Sequence, residues 1–177
     1  MRRINGRWMK GRAGSMLKRQ EEHVFAKPVA LVVACWTDET FLTAMMEAQG
    51  SRDAKVVVER PEPGQIHVAI TRQVPVKAPA LIRSVIGSWL DLTQHDVWQQ
   101  HADGSWTADR NAKPKGLAAE GGAQITLTPI SEDQARCEAN IHVSSRAPMV
   151  ADMVEKLMLE DSTTLLIEEF GWIDAHG

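Results

Sequence analysis

Arg72 stands in the run Ile66-His-Val-Ala-Ile-Thr-Arg72-Gln-Val74, whose apolar side chains recur at every second position. Strand side chains alternate between faces, so Arg72 is predicted to share the face of Ile66, Val68, Ile70 and Val74 and to point to the apolar side of a sheet. A guanidinium there needs an acceptor, because an unpaired buried charge is strongly destabilising. Its partner is either a protein carboxylate or a ligand anion. Asp161 and Glu168, near the inner stripe of a helical C-terminal segment, are the candidate carboxylates, each with a solvated position as the alternative.

Trp89, Trp98, Trp106 and Trp172 offer broad apolar faces with one N–H donor each, suited to gripping a flat or acyl ligand and equally to ordinary core packing. Met45, Met46, Met149, Met153 and Met158 would form an adaptable wall or fill a core. Gln94, Asp96 and Trp98 share one strand face, and Asn140 and His142 share another. Which of these faces is inward depends on strand register. His67, His95 and His142 would need a tuning neighbour to act as acids or bases, and His95 with His101 makes only a weak metal pair. No HExxH, GxSxG, GxGxxG, P-loop or zinc-spaced Cys/His cluster occurs. No catalytic residue, metal ligand or cofactor is therefore assigned. The candidate ligand-binding set is Arg72, Trp89, Trp98, Trp106, Met153, Leu157, Asp161, Leu165, Glu168 and Trp172.

The elements that must position these residues follow from periodicity and turn chemistry. Gln20 to Ala26 reads as a short strand, and Pro28 suits the first turn of a helix running to Trp36. Thr37 and Asp38 are N-cap residues for a second helix, stopped by Gly50. Ala54, Val56 and Val58, a turn at Pro61-Glu-Pro-Gly64, and the Arg72 run make a hairpin. Ala80 to Ile86 is a turn or two of helix. Strands follow from Trp89 to Gln100, Trp106 to Arg110, Leu117 to Thr128 and Ala135 to Ser144, with turn-type connections between them. From Pro148 onward Val150, Met153, Val154, Leu157, Met158, Leu165, Ile167 and Trp172 keep helical spacing over more than six turns.

Length and composition fit one folded domain: 177 residues, 44% hydrophobic and 24% charged. The apolar runs are too short to span a bilayer, and the first twenty residues lack the apolar core of a secretory signal, so a cytoplasmic location is expected. Those residues hold seven basic side chains and no acid, leaving 13 Lys and Arg against 23 Asp and Glu elsewhere. Residues 1–18 are expected to be a disordered basic extension and 19–177 the domain, with a native start at either Met1 or Met16. Such a tail suits weak contact with an anionic membrane; no nucleic-acid partner is expected. Cys35 and Cys137 read as buried small hydrophobes.

A strand, two short helices, a run of antiparallel strands and a long last helix is an α+β order that resembles the helix-grip fold of START-like, polyketide-cyclase-like and pollen-allergen-like proteins. The sequence is similar to an uncharacterised bacterial START-like (SRPBCC) family through Thr37-Asp-Glu-Thr-Phe-Leu42 ahead of Gly50, Thr71-Arg-Gln-Val-Pro75, Pro79-Ala80, Trp98, Gly104-Ser-Trp106, Leu127-Thr-Pro129 and Phe170-Gly-Trp172. It departs from that pattern at Ser145-Arg-Ala-Pro-Met149, where a glycine-bearing turn is usual. The resemblance implies a curved sheet of six or seven strands wrapped on the terminal helix and enclosing an apolar cavity. It further implies carriage of a hydrophobic small molecule such as a lipid, fatty acid or polyketide-like ring. The alternatives are a cyclase, dehydratase or hydrolase using Arg72 or a histidine to polarise a carbonyl, and an interaction module or homodimer without ligand. The oligomeric state stays open.

Overall fold

The computed structural model describes residues 16–147 and 150–177. Seven strands, β1 (Leu17–Phe25), β2 (Arg52–Glu62), β3 (Gln65–Pro75), β4 (Trp89–Gln100), β5 (Trp106–Pro114), β6 (Ala119–Ser131) and β7 (Gln134–Ser145), form one antiparallel sheet in the order β1-β7-β6-β5-β4-β3-β2. Two helices, α1 (Val29–Trp36) and α2 (Glu39–Ala48), carry the chain from one sheet edge to the other. α3 (Ala80–Ile86) joins β3 to β4, and α4 (Ala151–His176) lies against β7, β1 and β6. This is the helix-grip arrangement, with α4 as the gripped helix.

Local chemistry accounts for the ends of these elements. The Asp38 carboxylate accepts the Phe41 N–H at 2.6 Å and caps α2. Gly64 closes the β2–β3 turn at φ +79°, a conformation that side chains with a Cβ avoid. The register of β2 against β3 shifts twice, between Arg52 and Lys55 and between Glu59 and Glu62, and such bulges bend a strand.

Period-two burial puts Ile66, Val68, Ile70 and Arg72 of β3, Gln94, Asp96 and Trp98 of β4, and Ala135 through Val143 at alternate positions of β7 on the concave face. Asn140 and His142 fall on the outer face. The core joins that face to Val32 and Trp36 of α1, Leu42 and Met46 of α2, and Leu166, Phe170 and Ile173 of α4. Cys35 and Cys137 are buried and unbridged, as expected.

Several expected boundaries move. β1 begins at Leu17, so the folded part starts inside the segment assigned to the basic extension; residues 1–15 of that segment lie outside the described residues. β5 continues through Asn111-Ala-Lys-Pro114, which reads locally as a turn, because Asn111 and Ala112 pair with Gly122 and Gly121 of β6. α4 begins at Ala151; its expected opening residue Pro148, with Met149, lies outside the described residues.

The larger correction concerns the phase of α4. Its buried side is Val154, Glu155, Thr163, Leu166, Glu169, Phe170 and Ile173, while Met153, Asp161, Ile167 and Glu168 are exposed and Leu157, Leu165 and Trp172 half-buried. Apolar residues occur all round this helix, so hydrophobic spacing fixes the phase poorly. Two glutamates occupy the inner side because each finds a partner there. Among the described residues no single helix is long and apolar enough to cross a membrane.

Candidate functional site

The concave face carries a charged cluster beneath α4. Asp96 of β4 and Arg110 of β5 sit directly opposite each other in the ladder. The Arg110 guanidinium donates through Nε to both Asp96 oxygens at 3.2 and 3.1 Å, and its Nη2 lies 3.0 Å from Asp96 Oδ2. Through Nη1 it donates to both Glu169 oxygens at 3.1 and 3.0 Å. Gln94 donates to the Asp96 carboxylate, and the Trp36 indole N–H donates to Glu169 at 2.9 Å. One guanidinium thus ties two strands to α4, and α1 is tied in through Trp36.

The electrostatics follow from burial and pairing. Burial pushes the Asp96 carboxyl up from its ordinary range, with Arg110 pulling it back. Burial alone would loosen the Arg110 proton, but Asp96 and Glu169 outweigh it and hold the guanidinium charged. Cys137, also on the concave face, is pushed up to about 12 by burial, so it is a neutral thiol at ordinary pH.

Arg72 is the fourth charge. It is 6% exposed, yet it forms no ion pair among the described residues. Its Nη1 reaches Gln49 Oε1 and Ser51 Oγ only at 3.4 Å, and its Nε is buried with no hydrogen-bond partner among the described residues. Burial lowers its proton affinity, and Glu169 nearby opposes that. An arginine keeps its charge under such shifts.

Arg72 borders an internal chamber of about 70 Å³, walled also by Gln94, Arg110, Ala123, Leu166 and Glu169. A second chamber of about 120 Å³ lies nearer the surface, between Val74, Leu90 and Leu117 on the sheet side and Met158 and Asp161 on α4. Leu92, Ser162 and Leu165 belong to the walls of both. The result is two adjoining chambers, a mainly apolar outer one that Lys77 and Asp161 also border and a charged inner one. A wider hollow of about 840 Å³ lies among the exposed Lys55, Thr71, Asp91, His95, Asn111 and Lys113. It is open and polar-rimmed, so it does not shelter an apolar ligand from water as the inner space does.

Of the sequence-predicted set, Arg72, Leu165 and Asp161 border the chambers. Glu168 is exposed, and neither it nor Asp161 pairs with Arg72; the buried carboxylate of that region is Glu169, one position along the helix. Trp98 is fully buried against Trp36, ring centroids 5.4 Å apart. Trp89 is 38% exposed under the Arg52 guanidinium. Trp106 is half-buried at the edge of the core, and Trp172 stacks on His176. None of these tryptophans borders either chamber, and neither do the exposed Met153 or the half-buried Leu157. His95 is exposed, and His142 lies on the outer face beside Gly122. Among the described residues no group of three or more His, Cys, Asp or Glu could hold a metal ion.

Sequence reading missed Arg110 and Glu169. A signal for the first existed: with Gln100 opposite Trp106 across the His101–Ser105 turn, Asp96 must face Arg110, and opposite charges in register are a favoured pair.

A family model described as a protein of unknown function, DUF2505, matches residues 20–174, so the chain belongs to that family. No curated protein matches the sequence. Among solved structures, the chain is similar to the ZhuI aromatase/cyclase from Streptomyces sp. R1128, with 9% identity, TM-score 0.59 and coverage of 91% of this chain and 93% of that one. It is also similar to an uncharacterised protein from Rhizobium leguminosarum, with 11% identity, TM-score 0.61 and coverage of 93% and 98%. A norcoclaurine synthase point mutant from Thalictrum flavum, in complex with a transition-state analogue, shows 10% identity, TM-score 0.54 and coverage of 93% and 98%. At such identities the likeness is one of fold.

Proposed function

We propose that this DUF2505 protein binds a small, mainly apolar molecule in the two-chambered space between the sheet and α4. The observation that carries the reading is the space itself: a surface-facing, mainly apolar chamber that shares wall residues with a charged inner one, beside the packed core. Size narrows the ligand. The outer chamber approaches the volume of about 150 Å³ at which an apolar protein cavity takes a benzene ring. A single ring or short branched chain therefore fits, and a long fatty acid does not fit without opening the grip. The solved structures similar in fold include a cyclase and a synthase holding a transition-state analogue, which supports use of this fold for small molecules.

Catalysis on a carbonyl compound is the second reading. The four ionisable side chains gathered at the inner end favour it. Asp96 and Glu169, the groups there that could move a proton, are both held by Arg110, which favours binding over turnover.

The test is a Leu165→Trp variant, because Leu165 walls both chambers. Wild type is expected to bind an environment-sensitive ring-sized dye and the folded variant to lose it, with a stability cost of about 1–3 kcal/mol from overpacking. Unchanged dye binding by a folded Leu165→Trp protein would place the site elsewhere.

A further inference from the structure

Arg72 is a buried cation whose Nε–H has no acceptor among the described residues, and it borders the inner chamber. The charges around it are Arg110, Asp96 and Glu169, and the last two are bonded to Arg110 rather than to Arg72. Two guanidinium and two carboxylate groups sum to zero. What the inner end lacks is a hydrogen-bond acceptor, not a negative charge.

Resting on the cavity reading above, we propose that the ligand carries a neutral oxygen acceptor, a ketone, aldehyde or amide carbonyl, that docks on the Arg72 guanidinium while its apolar part fills the outer chamber. A carbonyl oxygen satisfies the Nε–H without adding charge, and a bond to a charged donor is stronger than one between neutral groups. A carboxylate would bring a net negative charge into a buried site beside Glu169 and lose its hydration in doing so. The apolar walls at Leu92, Leu165 and Met158 then receive the ring or chain.

Three ring compounds of similar size separate the possibilities: acetophenone, ethylbenzene and benzoate, titrated calorimetrically into the full chain at pH 7. Acetophenone is expected to bind roughly tenfold more tightly than ethylbenzene, a factor equal to about 1.4 kcal/mol, and benzoate more weakly than acetophenone. In Arg72→Met the ketone's advantage should vanish while ethylbenzene still binds. In case Arg72→Met does not fold, acetophenone with a 13C-labelled carbonyl reports on wild type directly. Its carbonyl resonance should move downfield on binding relative to an apolar solvent, as hydrogen bonding to a cation requires. Equal binding of ketone and hydrocarbon, an unmoved carbonyl resonance, or an advantage that survives in Arg72→Met would overturn the Arg72 assignment and leave the cavity reading standing. Benzoate binding most tightly would overturn the charge argument. If none of the three binds wild type, the cavity reading fails with it.

Discussion

Replacing Arg110 by methionine tests whether the buried cluster holds the two layers together. The substitution keeps most of the side-chain volume but removes the cation lying between Asp96 and Glu169, whose side chains are 2% and 5% exposed. Each lost pair is worth about 4 kcal/mol for charges roughly 4 Å apart at an effective dielectric of about 20. Removing the guanidinium also recovers its own dehydration penalty, several kcal/mol, so the net loss expected is about 3–5 kcal/mol, the usual cost of breaking a buried pair from one side. For a chain of this size that lowers Tm by roughly 6–20 °C. Gln94 and Trp36 remain as partners of the orphaned carboxylates but bring no charge. The sign of the pH dependence follows. Burial already raises the Asp96 carboxyl above its unfolded value and Arg110 pulls it back, so without Arg110 it rises further, the folded variant takes up a proton as pH falls, and its deficit against wild type shrinks. Urea unfolding of both proteins at pH 7 and pH 5 measures this. A deficit below about 1 kcal/mol at pH 7, where a broken buried pair should cost several, or one that does not change with pH, would refute the reasoning.

Three further outcomes are expected. A Cβ at Gly122 would run into the Arg110 carbonyl oxygen and the His142 ring, so Gly122→Ala should cost about 1–3 kcal/mol; a neutral effect in thermal unfolding would mean that β5 and β6 can separate there freely. Asp38→Ala removes the cap on the Phe41 N–H and should cost about 0.5–2 kcal/mol in urea unfolding, whereas Asp38→Asn should keep most of that stability; equal losses would show that the cap is not the cause. Both thiols are buried, with Cys35 raised and Cys137 pushed up to about 12, so an aromatic disulfide reagent at pH 8 should label neither in the folded protein and both in guanidinium. Rapid labelling of native Cys137 would show that the interior opens.

The order of elements was legible in the sequence because it is written in short-range chemistry. Alternation from Ile66 to Arg72 fixes which side chains share a face, Asp38 and Gly50 bracket α2, and Gly64 closes a turn, each without help from distant residues. Arg72 could be placed on the inner face for the same reason, since strand period is two and one apolar neighbour determines the rest. The site was not legible in the same way. Whether the inner carboxylate is Glu168 or Glu169 depends on the rotation of α4, and a helix with apolar residues on every side does not fix that rotation by hydrophobicity. Only packing against β1, β6 and β7, together with the Arg110 pair, selects it. Likewise the tryptophans carry no local mark distinguishing core from cavity; Trp98 is buried because Trp36 of α1 covers it, a contact between residues 62 positions apart. Sequence determined that Arg72 shares the apolar face of β3 and where α2 and the β2–β3 turn lie; tertiary packing decided which charges meet and carried β5 through a segment that reads locally as a turn, because pairing energy depends on distances that no local pattern encodes.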